Sequence, residues 1–188
     1  NNLTLFFEFL SEGVRPGRPE PVRVVADGSF VLENVPSGNR QMIVGLPNGS
    51  PFYVISTTLG EIDLSETPLS VVEDAEAGVI RVRLSSRLAT ISGRVVAEGP
   101  ENGEVVVLLV PSEASKQRFR IAYTAVQTAS DGSFTAKVAP GKYLVLARRR
   151  ENLPSLIGPE LKALADEAES VLLQPEEQKT IQLRLGQR

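Results

Sequence analysis

The sequence predicts an all-β protein: two tandem antiparallel β-sandwich domains of about seven strands each, with one short helix in the second. Three observations predict it. A turn pattern occurs twice, first as Asp27-Gly28-Ser29-Phe30 followed by Val35-Pro36-Ser37-Gly38. It returns as Asp131-Gly132-Ser133-Phe134 followed by Val138-Ala139-Pro140-Gly141. The segments around each copy alternate apolar and polar residues, the mark of half-buried strands. The two copies also lie a domain length apart, too far for a solenoid repeat.

The turn has a physical basis. Aspartate accepts hydrogen bonds from amides two residues on, and glycine takes the positive φ a tight hairpin requires. Asp-Gly between alternating apolar runs is a strong hairpin signal.

In the first domain, residues 1–89, the opening segment 3–10 alternates. Leu3, Leu5, Phe7 and Phe9 share one face, with Thr4, Phe6 and Glu8 on the other. Residues 11–21 hold Gly13, Pro16, Gly17, Pro19 and Pro21 and read as an exposed loop. Strands are expected over 21–26, with Val22 and Val24 inward, and over 30–35, with Phe30 and Leu32 inward. Another is expected over 40–46, then a turn at 47–51 and a β-rich run over 52–58. Residues 61–77 are acidic and irregular, with room for one short strand. Residues 79–84 set Ile80, Val82 and Leu84 against Arg81 and Arg83.

A junction at 85–89 is poor in Gly and Pro and reads as stiff. The second domain, residues 90–188, opens with a strand over 91–96. Residues 104–110 are nearly all apolar, which fits a strand covered on both faces. A polar loop over 111–120 leads to strands over 121–128, 134–138 and 143–148. Gly158-Pro159 can start a helix, since proline is tolerated at the first helical position. Leu161, Leu164, Ala165 and Ala168 would share its apolar face. Strands over 170–173 and 179–185 close the domain.

The domains match segment by segment: 3–10 with 104–111, and 79–86 with 180–187. One difference stands out. The second domain has the strand 91–96 ahead of its apolar strand, whereas the first begins directly at Leu3. The first domain is therefore expected to lack its opening strand, leaving unpaired amides and an uncovered stripe of core. Upstream residues or a neighbour's strand would fill the gap. The expected assembly edge is Leu3, Leu5, Phe7 and Phe9.

Composition narrows the function. The net charge of −3 argues against a nucleic-acid partner. Cys is absent, so there is no disulfide framework or thiolate chemistry. His and Trp are absent too, which removes the commonest general base and metal ligand. No apolar run is long enough to cross a bilayer, and no signal peptide is visible. The chain opens on Asn1 rather than Met, which reads as a processed or excised piece.

Ile91-Ser92-Gly93-Arg94-Val95-Val96, the apolar strand ending Val110-Pro111, Asp131-Gly132-Ser133-Phe134, Ala139-Pro140-Gly141-Lys142-Tyr143 and the late strand over 180–185 together resemble the carboxypeptidase regulatory-like domain. The resemblance covers residues 90–188, and 1–89 as a degenerate copy. It implies a prealbumin-like (transthyretin-like) sandwich serving as an accessory module of bacterial secreted and surface proteins. Asn39-Arg40 departs from that pattern's Gly-x-Tyr turn ending.

The chemical candidates weigh toward structure. Asp27 and Asp131 could ligate calcium, but turn formation explains them without further oxygen ligands. Glu61, Asp63, Glu66, Glu73, Asp74 and Glu76 read as a solvated acidic loop rather than a cation site. Arg148-Arg149-Arg150 and Arg118-Phe119-Arg120 could bind an anionic glycan, but charged strand edges that discourage aggregation explain them more simply. Glu160, Asp166 and Glu167 fall on one helical face, not across a cleft as glycoside chemistry needs. The serines lack a His base. Sugar binding would rest on Tyr53, Tyr123 and Tyr143, with Tyr143 expected in the core. The sequons at Asn2 and Asn48 read as chance.

No catalytic residue, cofactor site or metal site is expected. The leading expectation is a non-catalytic structural or adhesive module pair of a bacterial protein, extracellular, surface-bound or periplasmic. A subunit that self-assembles by strand complementation comes second, and a carbohydrate-binding module third. Partners would be other copies or neighbouring modules, with no nucleic acid and no membrane insertion.

Overall fold

The computed structural model describes residues 3–10, 19–33, 35–47, 49–72, 78–96, 104–112, 123–153 and 167–186. The chain is all-β and divides into two compact units, Asn1–Ser86 and Arg87–Arg188. Each unit contains seven described strands.

In the second unit, alternation and turn chemistry build two facing layers. One sheet has the order β10-β9-β12-β13, from β9 (Val105–Pro111), β10 (Thr124–Gln127), β12 (Gly141–Arg149) and β13 (Glu169–Leu173). The other has the order β11-β8-β14, from β8 (Ala89–Val96), β11 (Ser133–Val138) and β14 (Gln178–Arg184). Between them lie Ile91, Val95, Val107, Leu109, Phe134, Val145, Val171 and Leu183, all buried. Each fully buried Val, Leu or Phe contributes about 1.5–3 kcal/mol. Strand β9 is buried on both faces, as its continuous apolar run required. Its outer residues Val106, Leu108 and Val110 pack with Leu146, Tyr123 and Ala168.

The pairing of β8 with β14 corrects the expectation of purely antiparallel sheets. These two strands run parallel, from Gln178 beside Thr90 to Arg184 beside Val96. They are the first and last strands of the unit, and no hairpin dictates their direction. Gly93 makes the close approach possible. A β-carbon there would overlap the Ile181 carbonyl oxygen and meet the Phe134 ring at 3.0 Å.

The first unit repeats one sheet and alters the other. Its order β2-β1-β3-β6 uses β1 (Thr4–Leu10), β2 (Glu20–Arg23), β3 (Gly38–Gly45) and β6 (Leu69–Val71). In chain order and pairing these are the counterparts of β9, β10, β12 and β13. The other sheet, β5-β4-β7, uses β4 (Tyr53–Leu59), β5 (Ile62–Asp63) and β7 (Ile80–Ser85). Strand β7 is the counterpart of β14, but its partner is β4, antiparallel and with a bulge between Val54 and Ser56.

The strand expected over 30–35 is not found among its described residues. Among the described residues, Phe30, Val31, Leu32 and Glu33 belong to no sheet, although the same pattern in β11 forms a full ladder with β8. Alternation sets which side faces the core, but a strand also needs a neighbour for its amides. The expected helix lies outside the described residues up to position 166. Its last expected residue, Ala168, sits in a bend. A 3-10 turn at Arg150–Asn152 is the helical element among the described residues.

Candidate functional site

The stripe Leu3, Leu5, Phe7 and Phe9 is not an assembly edge. Strand β1 lies inside its sheet, paired with β2 on one side and β3 on the other. Leu5 and Phe7 are only 2% and 1% exposed and anchor the core, with Phe9 packed against them. The Leu3 carbonyl accepts a hydrogen bond from the Val24 amide at 2.9 Å. Comparison with the second unit explains the correction. The strand without a counterpart is β8, which is central in its sheet; in the first unit β7 pairs with β4 instead.

The half-covered residues of the first core are the candidate site. Phe30, Leu32 and Val35 on one flank, and Ile80, Val82 and Leu84 of β7, pack against the first core while remaining half-exposed. Of their second-unit counterparts, Phe134, Ala136, Val138 and Leu183 are at least 94% buried, while Ile181 and Leu185 are half-buried like Ile80 and Leu84. Phe30 still finds Phe7, with ring centroids 5.4 Å apart. Val31, on the opposite face, is 72% exposed. Among the described residues the first core holds six buried and twelve half-buried apolar residues, against fourteen and four around the main second core. The first interior is therefore built but incompletely covered.

The turn that precedes Phe30 is chemically defined. Asp27 Oδ1 accepts from the Ser29 amide at 2.9 Å and from its hydroxyl at 2.8 Å. The backbone bond, then the hydroxyl bond, holds the Asp27 carboxyl below the usual aspartate range. Asp131 is lowered likewise, by the Ser133 hydroxyl first and its amide next, with a smaller share from Arg94. Asp63 repeats the device with Ser65. Gly28 and Gly132 take φ of 87° and 79°, so both turns use glycine's freedom. In the second unit, Arg94 of β8 donates to Asp131 Oδ2 at 3.0 Å.

The remaining candidates are structural in geometry. Arg148 is buried, donating to the Ala147 carbonyl and pairing with Glu167, and Arg150 pairs with Glu104 at 2.6 Å. The sequence hid this, because a run of three arginines reads as surface charge. Gly186 leaves space for the Arg148 guanidinium, which a β-carbon would overlap. Tyr143 is buried, its hydroxyl donating to the Ala139 carbonyl at 2.8 Å. Tyr123 packs on the outer face of β9, and Tyr53 is half-exposed on β4. No cluster of acidic residues among the described ones is placed to hold a metal ion. Residues 73, 74, 76, 118–120, 160 and 166, and the sequon asparagines 2 and 48, lie outside the described residues.

No family model and no curated protein sequence matches this chain. A search of solved structures finds a chain described as the Bacillus anthracis TIE protein, 14% identical with a TM-score of 0.33. The similarity covers 97% of this chain and 33% of that one, so this chain spans about a third of that structure.

Proposed function

We propose that the chain is a non-catalytic pair of structural β-sandwich modules from a bacterial secreted or cell-surface protein, with protein segments as its partners. One observation carries this reading. The carboxylates with lowered pKa, Asp27, Asp63 and Asp131, each engage the serine two residues on. Lowered pKa values often mark reaction centres. Here the perturbation goes into fixing turns, the work of a scaffold. The buried arginine likewise locks β12 to Glu167. The resemblance to the carboxypeptidase regulatory-like domain supplies the secreted or surface setting.

The test is a glycan array together with a hydrolase substrate panel, both run on the full chain. No retention and no turnover are expected. Saturable sugar retention lost on Tyr53→Ala, or turnover lost with a single Ser or Asp substitution, would overturn the proposal.

A further inference from the structure

We infer that the outer face of the sheet β11-β8-β14 docks an acidic, extended segment of a partner protein. This names a partner for the structural-module proposal and rests on it. Alternation separates the two faces of the sheet. Ile91, Val95, Phe134, Ala136 and Leu183 turn into the second core. The residues between them, including Ser92, Arg94, Thr135, Lys137, Gln182 and Arg184, therefore turn outward. No residue of β8, β11 or β14 is Asp or Glu, in a chain that has 23 of them. An open pocket over the middle of the face is lined by Ser92, Arg94, Thr135, Thr180 and Gln182. The Ser92 and Thr180 hydroxyls stand 3.3 Å apart across it. Lys137 and Arg184 are exposed, and their neighbours across the strands are Thr90 and Val96, not carboxylates. Protection of sheet edges accounts for cations on the outer strands β11 and β14. It accounts neither for Arg94 on the central strand nor for three strands without a carboxylate.

The register sets the spacing of the ligand's charges. The three cations lie on a diagonal: Lys137 beside Thr90, Arg94 further along β8, and Arg184 beside Val96. With a rise of about 3.3 Å per residue and strands about 4.8 Å apart, the two steps span about 14 Å and about 8 Å. An extended chain covers those distances in about four and about two residues. Both intervals are even, so carboxylates at i, i+4 and i+6 of an extended segment all point to one side, toward the sheet. Position i+2 then meets the hydroxyls of Ser92 and Thr180 and favours a polar side chain. Arg94 uses one nitrogen on Asp131 and its side chain is 62% exposed, which leaves other N–H donors of the guanidinium for a ligand. Three sparse cations suit side-chain carboxylates rather than the continuous charge of a nucleic acid. No outward residue of the three strands is aromatic, so a sugar ring or a base finds no stacking platform. A second copy of this chain is disfavoured, because its sequence has no Asp or Glu at those intervals in either direction.

The experiment titrates the full chain with the peptide Glu-Thr-Ser-Thr-Glu-Thr-Glu, whose carboxylates fall at i, i+4 and i+6. Binding is read from amide chemical shifts in NMR. Saturable shifts are expected at Ser92, Arg94, Thr135, Lys137 and Thr180, with those of β9 unmoved. Raising salt from about 0.05 M to about 0.5 M should weaken binding about tenfold. Lys137→Gln and Arg184→Gln should each weaken it about threefold, and the two together about tenfold. Both side chains are exposed, so these variants keep the fold, which unchanged hydrogen exchange in β9 verifies. A control peptide of the same composition, Glu-Ser-Thr-Glu-Thr-Thr-Glu, turns its middle carboxylate to the wrong side and should bind at least threefold more weakly. The inference is overturned by no saturable shifts, by a control peptide that binds equally well, or by a double variant that binds like the parent. It is equally overturned if polygalacturonate occupies the same face more tightly than the peptide, which would make the ligand an acidic glycan. Failure of peptide binding would leave the scaffold proposal standing, whereas turnover on the substrate panel would remove that proposal while leaving peptide binding measurable.

Discussion

Asp27 and Asp131 show how a single carboxylate can fix a local fold. Both have folded pKa values held below the ordinary aspartate range, so their stabilising share is fully present above that range. It is lost as pH falls through the lowered folded values. The urea midpoint should therefore hold from pH 7 to about 5 and decline below about 4. In Asp131→Asn the decline of the second unit's transition should be shallower, as followed in urea titrations across that pH series. Arg148 makes a different demand. Glu167→Ala leaves its buried guanidinium without the carboxylate and should cost about 1–3 kcal/mol in chemical denaturation. Arg148→Met should cost less, since a buried ion pair can be replaced by apolar packing at little net loss. The Asp-Gly-Ser turns were legible in the sequence because their chemistry is local. The Arg148 contact was not, because it joins β12 to Glu167, 19 residues further along the chain, and nothing in three consecutive arginines marks the first as interior.

At the scale of the strand, continuous and alternating patterns carried different amounts of information. The unbroken apolar run of β9 correctly specified cover on both faces. Leu109→Ala should cost about 2–5 kcal/mol, measured by urea unfolding of the second unit. Val31→Ala, at a largely exposed position, should stay within about 0.5 kcal/mol. The pattern at 30–35 was equally clear yet gave no strand, because periodicity encodes a face and is silent about the neighbour. For the same reason the site was misplaced onto β1. Sequence comparison found that one strand lacked a counterpart. It did not give the sheet order, which puts that strand in the middle of a layer. The parallel direction of β14 beside β8 was also out of reach, since it joins opposite ends of the unit.

For the molecule as a whole, the unequal interiors imply unequal stability. Among the described residues the second unit buries fourteen in its main core and the first buries six. The first unit should open at lower urea, giving two separable transitions by hydrogen exchange. Amides of 30–33 should exchange fastest of the core-facing segments, and those of β9 and β11 slowest. A single transition with uniform protection would contradict this. The fold class was legible in the sequence because each unit restates the other, so ambiguity in one strand was settled by its copy.

The side-by-side pairing of β8 and β14 also bears on how the second unit would carry tension. Because the two strands run the same way, a pull on the leading end of one and the trailing end of the other slides them lengthwise. Seven register positions resist that sliding together instead of unzipping in turn. The second unit is thus built to hold under traction along its own chain. The first, whose β7 runs antiparallel to β4, would yield earlier.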